Sequence, residues 1–262
     1  MTLPNFGLDL GALPAQFEGY SQGRVLVLDG DGPAYVAAAT VKRLDTAIRR
    51  FQTIVLERMY LTKSEMVSVH LTKSGSLKAG RGSMRGVKPY QANRSGKAKP
   101  SLLEPLREAI AHTDNWLPEF RQVVLHEVLE ADDGMISEAE ELQHNAVICS
   151  EDKVLRMTRW MWYCIETGRI YPALSETDGF VELKFTPSGT PKLAGRGPLF
   201  FWGQMLAGDT ADNVRGLERA NGKLCGVMEA HRILGGVTCQ HTAANAVLDL
   251  YASADQNPLP EG

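Results

Sequence analysis

Four short apolar runs, each ending in turn or polar residues, constrain this chain more than any other feature. They are RVLVLDGDG at 24–32, MVSVHLT at 66–72, QVVLHE at 122–127 and AVICS at 146–150. A buried run of this length followed by Gly-rich punctuation reads as a strand of a parallel sheet. Pro33 can open a helix after the first run. From there Ala37, Val41, Leu44, Ile48, Phe51, Val55 and Met59 recur every three or four residues, with Lys42, Arg43, Arg49 and Arg50 off that face. One long amphipathic helix is expected. Ser101 and Glu104 match a helix-start signature before LLEPLREAIAH. ADDGMISEAEELQHN at 131–145 reads as a helix with acids in its first turn, where the dipole favours them. Residues 160–195 suggest short strands and a hairpin around PSGTP. Strands alternating with helices imply an α/β fold, a mostly parallel central sheet flanked by helices. Sites in such sheets form at the carboxyl ends of the strands.

The chain has 262 residues, enough for one large α/β domain with an appended subdomain. With 44% hydrophobic and 23% charged residues it has the composition of a soluble globular protein. No run approaches the roughly 18 apolar residues of a membrane span. The opening MTLPNFGLDLGALPAQ lacks a basic region and a continuous apolar core, so no signal peptide is read there and the cytosol is the default compartment. Cys149, Cys164, Cys225 and Cys239 form no CxxC pair and no zinc-ligand spacing, so free thiols are expected.

The net charge is −3, but it is unevenly spread. Between Met66 and Leu103 there is no Asp or Glu, while Lys73, Lys78, Arg81, Arg85, Lys88, Arg94, Lys97 and Lys99 all fall there. Segregated basic charge is either an electrostatic footprint for phosphate or a solvated loop.

The acids cluster elsewhere: Asp29 and Asp31 in LDGDG, Glu130, Asp132 and Asp133 in LEADD, Asp152 in CSEDK, and Asp209 and Asp212 in GDTADN. Singly, such residues cap helices or shape turns. Together, three of the groups follow separate apolar runs expected to lie side by side. Converging carboxylates repel by several kcal/mol per close pair at an effective dielectric of about 20. A fold that gathers them needs cations, and all-oxygen ligands suit Mg²⁺ or Mn²⁺. Two such ions are a known device for phosphodiester cleavage.

Five stretches, in order, resemble motifs of the 5′-nuclease family of flap endonucleases and bacteriophage 5′–3′ exonucleases. VLVLDGDGPAY resembles its opening strand and KPYQANR its Tyr-Lys-Ala-Asn-Arg motif. LEADD matches its Glu-Ala-Asp-Asp motif, VICSEDKVL resembles its next strand, and GDTADNVRGLERANGK resembles the start of its helix–three-turn–helix element. The resemblance implies an N-terminal extension at 1–24, a nuclease core at 25–206 with a basic arch at 73–100, and a DNA-binding subdomain and tail at 207–262. It implies two Mg²⁺ or Mn²⁺ ions held by Asp29, Glu130, Asp132, Asp133, Asp152, Asp209 and Asp212. Asp29, Asp132 and Asp133, with Lys88 and Arg94 as phosphate clamps, are the implied catalytic set. Tyr35, six residues after Asp29, is either the family's base-stacking aromatic or a core tyrosine. Arg81, Arg85, Lys88, Tyr90, Asn93, Arg94 and Lys223 are the implied contacts to nucleic acid. The implied partner is DNA with a 5′ end or flap, or an RNA–DNA hybrid, met by a monomer during phage DNA replication or recombination; no membrane is involved.

The sequence departs from that pattern at three places. Lys73 stands where the second strand usually ends in an acid, Val154 where the fourth supplies a second Asp, and Gln91 where the arch carries Lys, with Lys88 close by. These losses leave a second reading open, a nucleic-acid-binding module with a weakened site. A PIN-type ribonuclease shares the acidic strand ends but usually lacks the GDTADN element and the basic arch. Asp31, two residues from Asp29, is a possible auxiliary acid.

Overall fold

A central run of four residues, Val25 to Leu28, organises the chain. The computed structural model describes residues 20–83, 99–112, 119–175, 177–210 and 214–255. In chain order the first part comprises β1 (Ser21–Asp29), α1 (Asp31–Ala38), α2 (Leu44–Thr62), β2 (Ser64–Thr72), a 3₁₀ segment over Lys78–Ser83, and α3 (Leu103–Ala111). It continues through β3 (Phe120–His126), α4 (Ala131–Leu142), β4 (Ala146–Cys149), a second 3₁₀ segment over Lys153–Met157, β5 (Met161–Cys164) and β6 (Arg169–Tyr171). These six strands make one sheet in the order β3-β2-β1-β4-β5-β6. All pairs are parallel except β5 with β6.

Side-chain alternation along the inner strands builds two cores at once. Leu26 and Leu28 of β1, with Val147 and Cys149 of β4, face α1, α2 and α3 and meet Ala34, Phe51, Val55, Leu106 and Ile110. Val27, Ala146 and Ile148 face the other way, toward Met135 and Ala139 of α4 and Trp160 and Trp162. Both faces of β1 are therefore dry, which is why its sequence is a continuous apolar run.

The chain leaves β1 toward β2 and β3 on one side and later returns to β4 on the other. That reversal puts a crevice at the carboxyl ends of β1 and β4. Gly30 makes the exit from β1 possible. Its N–H donates to His70 O at 2.7 Å, and a Cβ there would lie 2.7 Å from Val69 Cγ1 and 2.9 Å from His70 O.

Two local expectations are corrected. The single helix after Pro33 is two helices, α1 and α2, broken around Thr40–Arg43, where Arg43 is extended (φ −125°, ψ 134°). One straight helix over that stretch would run about 40 Å, past the edge of the sheet; the break lets both pieces pack on it. Ser101 does not cap α3, because the cap position is Leu102, so that Pro105 falls in the first turn where no backbone N–H is needed.

The C-terminal part carries the hairpin β7 (Phe180–Phe185) with β8 (Pro191–Arg196), as the PSGTP turn predicts, then α5 (Pro198–Ala207), a short hairpin of β9 (Arg219–Ala220) with β10 (Lys223–Leu224), α6 (Val227–Leu234) and α7 (Gln240–Asp255). A third apolar cluster joins Val181, Leu199, Leu206, Leu217, Ala230 and Val247 across these elements. That cluster spans the expected 206/207 boundary, since Leu199 and Leu206 of α5 pack with Leu217 and Val247. No described helix is long and apolar enough to cross a membrane.

Gly30→Ala should cost about 1–3 kcal/mol through the clash with Val69 and His70, read as a lower urea midpoint. Gly32→Ala, with nothing within 4 Å of a new Cβ, should be neutral or slightly stabilising on its helix.

Candidate active site

Asp29 ends β1 and is the first acid in the crevice. Its Oδ1 accepts the Asp31 N–H at 3.0 Å and its Oδ2 accepts the Ser150 hydroxyl at 2.8 Å. Burial first, then the Asp31 charge, pushes its pKa up from the ordinary carboxylate value to about 6, and Asp152 adds to the rise. Asp132, in the first turn of α4, is likewise pushed up to about 6, by burial and then by Asp133, Glu130 and Asp152. Asp152 follows β4, where its Oδ1 caps the next 3₁₀ turn by accepting the Val154 N–H at 2.9 Å. Asp29 and Asp132 thus both lie in the field of Asp152, and among the described residues none of the three has a cationic partner within ion-pair distance.

The other acids are neutralised by the protein itself. Glu130 caps α4 and shares a capping box with Asp133. Lys78 Nζ lies 3.0 Å from Glu130, and Arg81 bridges Glu130, at 2.7 Å, and Asp133. The hydrogen bond to Asp133 is the main reason the Arg81 guanidinium is held more firmly charged. Asp31 is committed elsewhere: Arg107 of α3 donates to it at 2.8 Å and the Thr72 N–H at 3.1 Å. Asp209 pairs with Lys153 at 2.9 Å, and its backbone bridges to Val214. Lys73 swings away from the crevice onto Glu127, both exposed.

A cleft of about 830 Å³ joins Asp132, Asp133, Arg81 and Val154 to Asp209. A second cavity, of about 480 Å³, runs from Asp29 past Gly32 to Tyr35. Tyr35 is 47% exposed on α1 and is not a core tyrosine. Lys223 sits on the exposed β9–β10 hairpin. Arg85, Lys88, Tyr90, Asn93, Arg94 and Asp212 lie outside the described residues.

As the side chains stand, no group of three or more His, Cys, Asp or Glu among the described residues is arranged to hold a metal ion. The donor chemistry nonetheless suits a divalent cation. Asp29, Asp132 and Asp152 offer oxygen donors that have no ion-pair partner among the described residues, and repulsion of Asp152 with the other two is what a hard cation would relieve. Glu130 and Asp133 join such a set only if Arg81 releases them.

Sequence reading missed Arg107, Ser150 and Lys153 as partners of these acids. Each arrives from an element distant in the chain, and no local pattern marks it. It also missed the buried pair His70 and Glu138 beneath α4.

A carboxylate whose folded pKa is raised stabilises the fold fully only below its unfolded value, and that contribution is lost as pH rises through the folded value. For Asp29 the window runs from about pH 4 to about pH 6. Asp29→Asn should therefore be more stable than the parent above about pH 6, by about 1–2 kcal/mol after solvent screening. The gap should close toward about pH 4, as read by thermal melts in EDTA across that range.

A comparison with models of known protein families finds no match, and neither does one with curated proteins. Solved structures do match. One is the T5 D15 protein co-crystallised with metal ions, at 15% identity, covering 91% of this chain and 80% of that one with a TM-score of 0.53. Another is a bacteriophage T5 flap endonuclease in a complex with DNA and metal ions, at 14% identity, the same coverage and a TM-score of 0.53. At such identity the likeness is one of shape, and this chain has the fold of the bacteriophage T5 flap endonuclease.

Proposed function

We propose that this chain is a divalent-metal-dependent 5′-nuclease that hydrolyses phosphodiester bonds of DNA, and of RNA in hybrids, from a 5′ end or flap. One observation carries the reading: Asp29 and Asp132, both pushed up by burial and then by neighbouring acids, lie in the field of Asp152, and among the described residues none of the three has an ion-pair partner. Shape similarity to a flap endonuclease solved with DNA and metal ions supports it.

In this reading Asp29, Asp132 and Asp152 hold the cations, Mg²⁺ or Mn²⁺, joined by Glu130, Asp133, Asp209 and Asp212. Two such ions, when bound, supply an activated water and a stabilised leaving oxygen. The chain's own residues do the rest. Ser150 orients the Asp29 carboxylate. The capping box holds Glu130 and Asp133 in one arrangement. Tyr35, exposed beside the Asp29 cavity, would stack on a terminal base, worth about 1–3 kcal/mol. Arg81 and Lys78, now on Glu130 and Asp133, are cations that an incoming phosphate can take over. Arg85, Lys88, Tyr90, Asn93 and Arg94 extend this basic surface in the sequence, and Lys223 adds a downstream contact. The setting is a monomer in the host cytosol, acting in phage DNA replication or recombination.

A binding module with a weakened site is the second reading. It is favoured by the Arg81 and Lys78 pairs that already neutralise Glu130 and Asp133. Asp132→Asn should separate the two. If the chain is a nuclease, the variant loses at least about 100-fold in kcat on a 5′-labelled duplex, the scale of removing one group that stabilises developing charge, and EDTA abolishes the parent's activity. Equal parental rates in EDTA and Mg²⁺ would sink the nuclease reading.

Val154 faces the same cleft as Asp132 and Asp209. Adding a carboxylate there raises the charge of the site, which governs affinity for hard cations. Val154→Asp should lower the Mg²⁺ concentration for half-maximal rate, and Mn²⁺ should support the parent better than Mg²⁺. Coincident metal titrations of parent and variant would show that the missing acid is not limiting.

A further inference from the structure

The interface between α4 and β2 carries a polar stripe inside an otherwise apolar fold. Along β2, Val67, Val69 and Leu71 enter the core against α2 and α3, while Ser68, His70 and Thr72 point to α4. Ser68 Oγ donates to Glu138 Oε1 at 2.6 Å. His70 Nε2 meets Glu138 Oε2 at 2.7 Å, with both side chains about 95% buried or more. His70 Nδ1 meets His126 Nε2 at 2.9 Å, and the two rings stack with an 8° tilt. Arg121 adds a bond to Glu138 Oε1 at 2.7 Å. Thr72 Oγ1 accepts the Ala131 N–H at 2.9 Å.

On α4 the partners are Ala131, Gly134 and Glu138, which lie on one helix face. Gly134 is pressed against the histidines, so close that a Cβ there would lie 2.2 Å from His126 Cε1 and 2.9 Å from His70 Nδ1. Asp132 and Asp133 sit between Ala131 and Gly134, on the turn that this contact fixes. The charges of Asp133 and Asp31 reach His126, so the chain of contacts runs from the buried Glu138 to the floor of the crevice.

A buried ion pair contributes little net stability, and a well-packed apolar pair of similar volume is often as good. What directional bonds add is a defined position. An apolar helix on an apolar strand can slide by fractions of an ångström at small cost, whereas a satisfied hydrogen-bond network has one arrangement. We infer that the Glu138–His70–His126 chain positions the first turn of α4, making His70 a positioning residue for the cleavage proposed above. The inference rests on that reading for its link to catalysis, but its structural half does not.

The test replaces the chain by apolar groups with the double variant His70→Leu/Glu138→Leu, and keeps its shape with Glu138→Gln. Three measurements are made on the full chain: amide exchange of residues 131–137, Mn²⁺ binding without DNA, and kcat and KM on a 5′-labelled duplex. The double variant should fold and melt near the parental temperature. Its amides at 131–137 should exchange about tenfold faster or more, and Mn²⁺ should bind more weakly. Its kcat should fall about tenfold or more with KM little changed, since a small misplacement of catalytic groups is costly. Glu138→Gln, whose one oxygen still accepts from Ser68 and whose amide N–H can donate to His70 Nε2 in its other tautomer, should recover most of each. Parental exchange and parental Mn²⁺ binding in the double variant would overturn the inference. Should the double variant not fold, Ser68→Ala removes one bond and little volume and is read the same way. If the parent cleaves nothing, the nuclease reading fails while exchange at 131–137 still decides this one.

Discussion

Repulsion among carboxylates is the constraint around which this molecule is arranged. Asp29, Asp132 and Asp152 are brought to one crevice by the ends of β1 and β4 and the start of α4, where burial first and neighbouring acids second push Asp29 and Asp132 up to about 6. The protein compensates selectively. Arg107 takes Asp31, Arg81 and Lys78 take Glu130 and Asp133, and Lys153 takes Asp209. The acids left without a cation are those nearest the strand ends. A fold that neutralises its peripheral acids and leaves the central ones without a cation concentrates negative potential at one point, a setting that would favour a hard cation.

Holding those acids in place requires a rigid base. β1 supplies it, with Leu26 and Leu28 committed to one core and Val27 to the other. α4 is less constrained by apolar packing, since only Met135, Ala139 and the partly buried Ile136 and Leu142 dock it on the apolar side. Its other contacts are polar, through Glu138, Ser68, His70 and the Thr72–Ala131 bond. The acid-bearing helix is thus located by directional bonds, while the strand that carries Asp29 is located by close packing.

The C-terminal unit is tied to the end of β4 by the Lys153–Asp209 pair, supported by the Lys153 bond to Gln204 at 3.1 Å. Both ends of this contact derive from motif residues, CSEDK and GDTADN. Lys153 therefore links the end of β4 to the end of α5 across the large cleft.

Much of this was readable in the chain itself. Continuous apolar runs marked the inner strands, because a strand buried on both faces leaves no polar position. The acids at the strand ends were legible because each follows its run directly, as Asp29 follows Val25–Leu28 and Asp152 follows Ala146–Cys149. What stayed hidden has a common physical cause. The break between α1 and α2 depends on how far a helix can extend over this sheet. The partners of the acids, Arg107 and Ser150, are 76 and 121 residues away from Asp31 and Asp29. His70 and Glu138 look like an isolated strand histidine and a surface helix acid until parallel pairing and the α4 crossover place them 2.7 Å apart. Local sequence determined which residues could be acids, strands or helices; only the tertiary structure decided which charges are neutralised and which remain exposed to one another, because Coulomb interactions depend on distance in space and not along the chain.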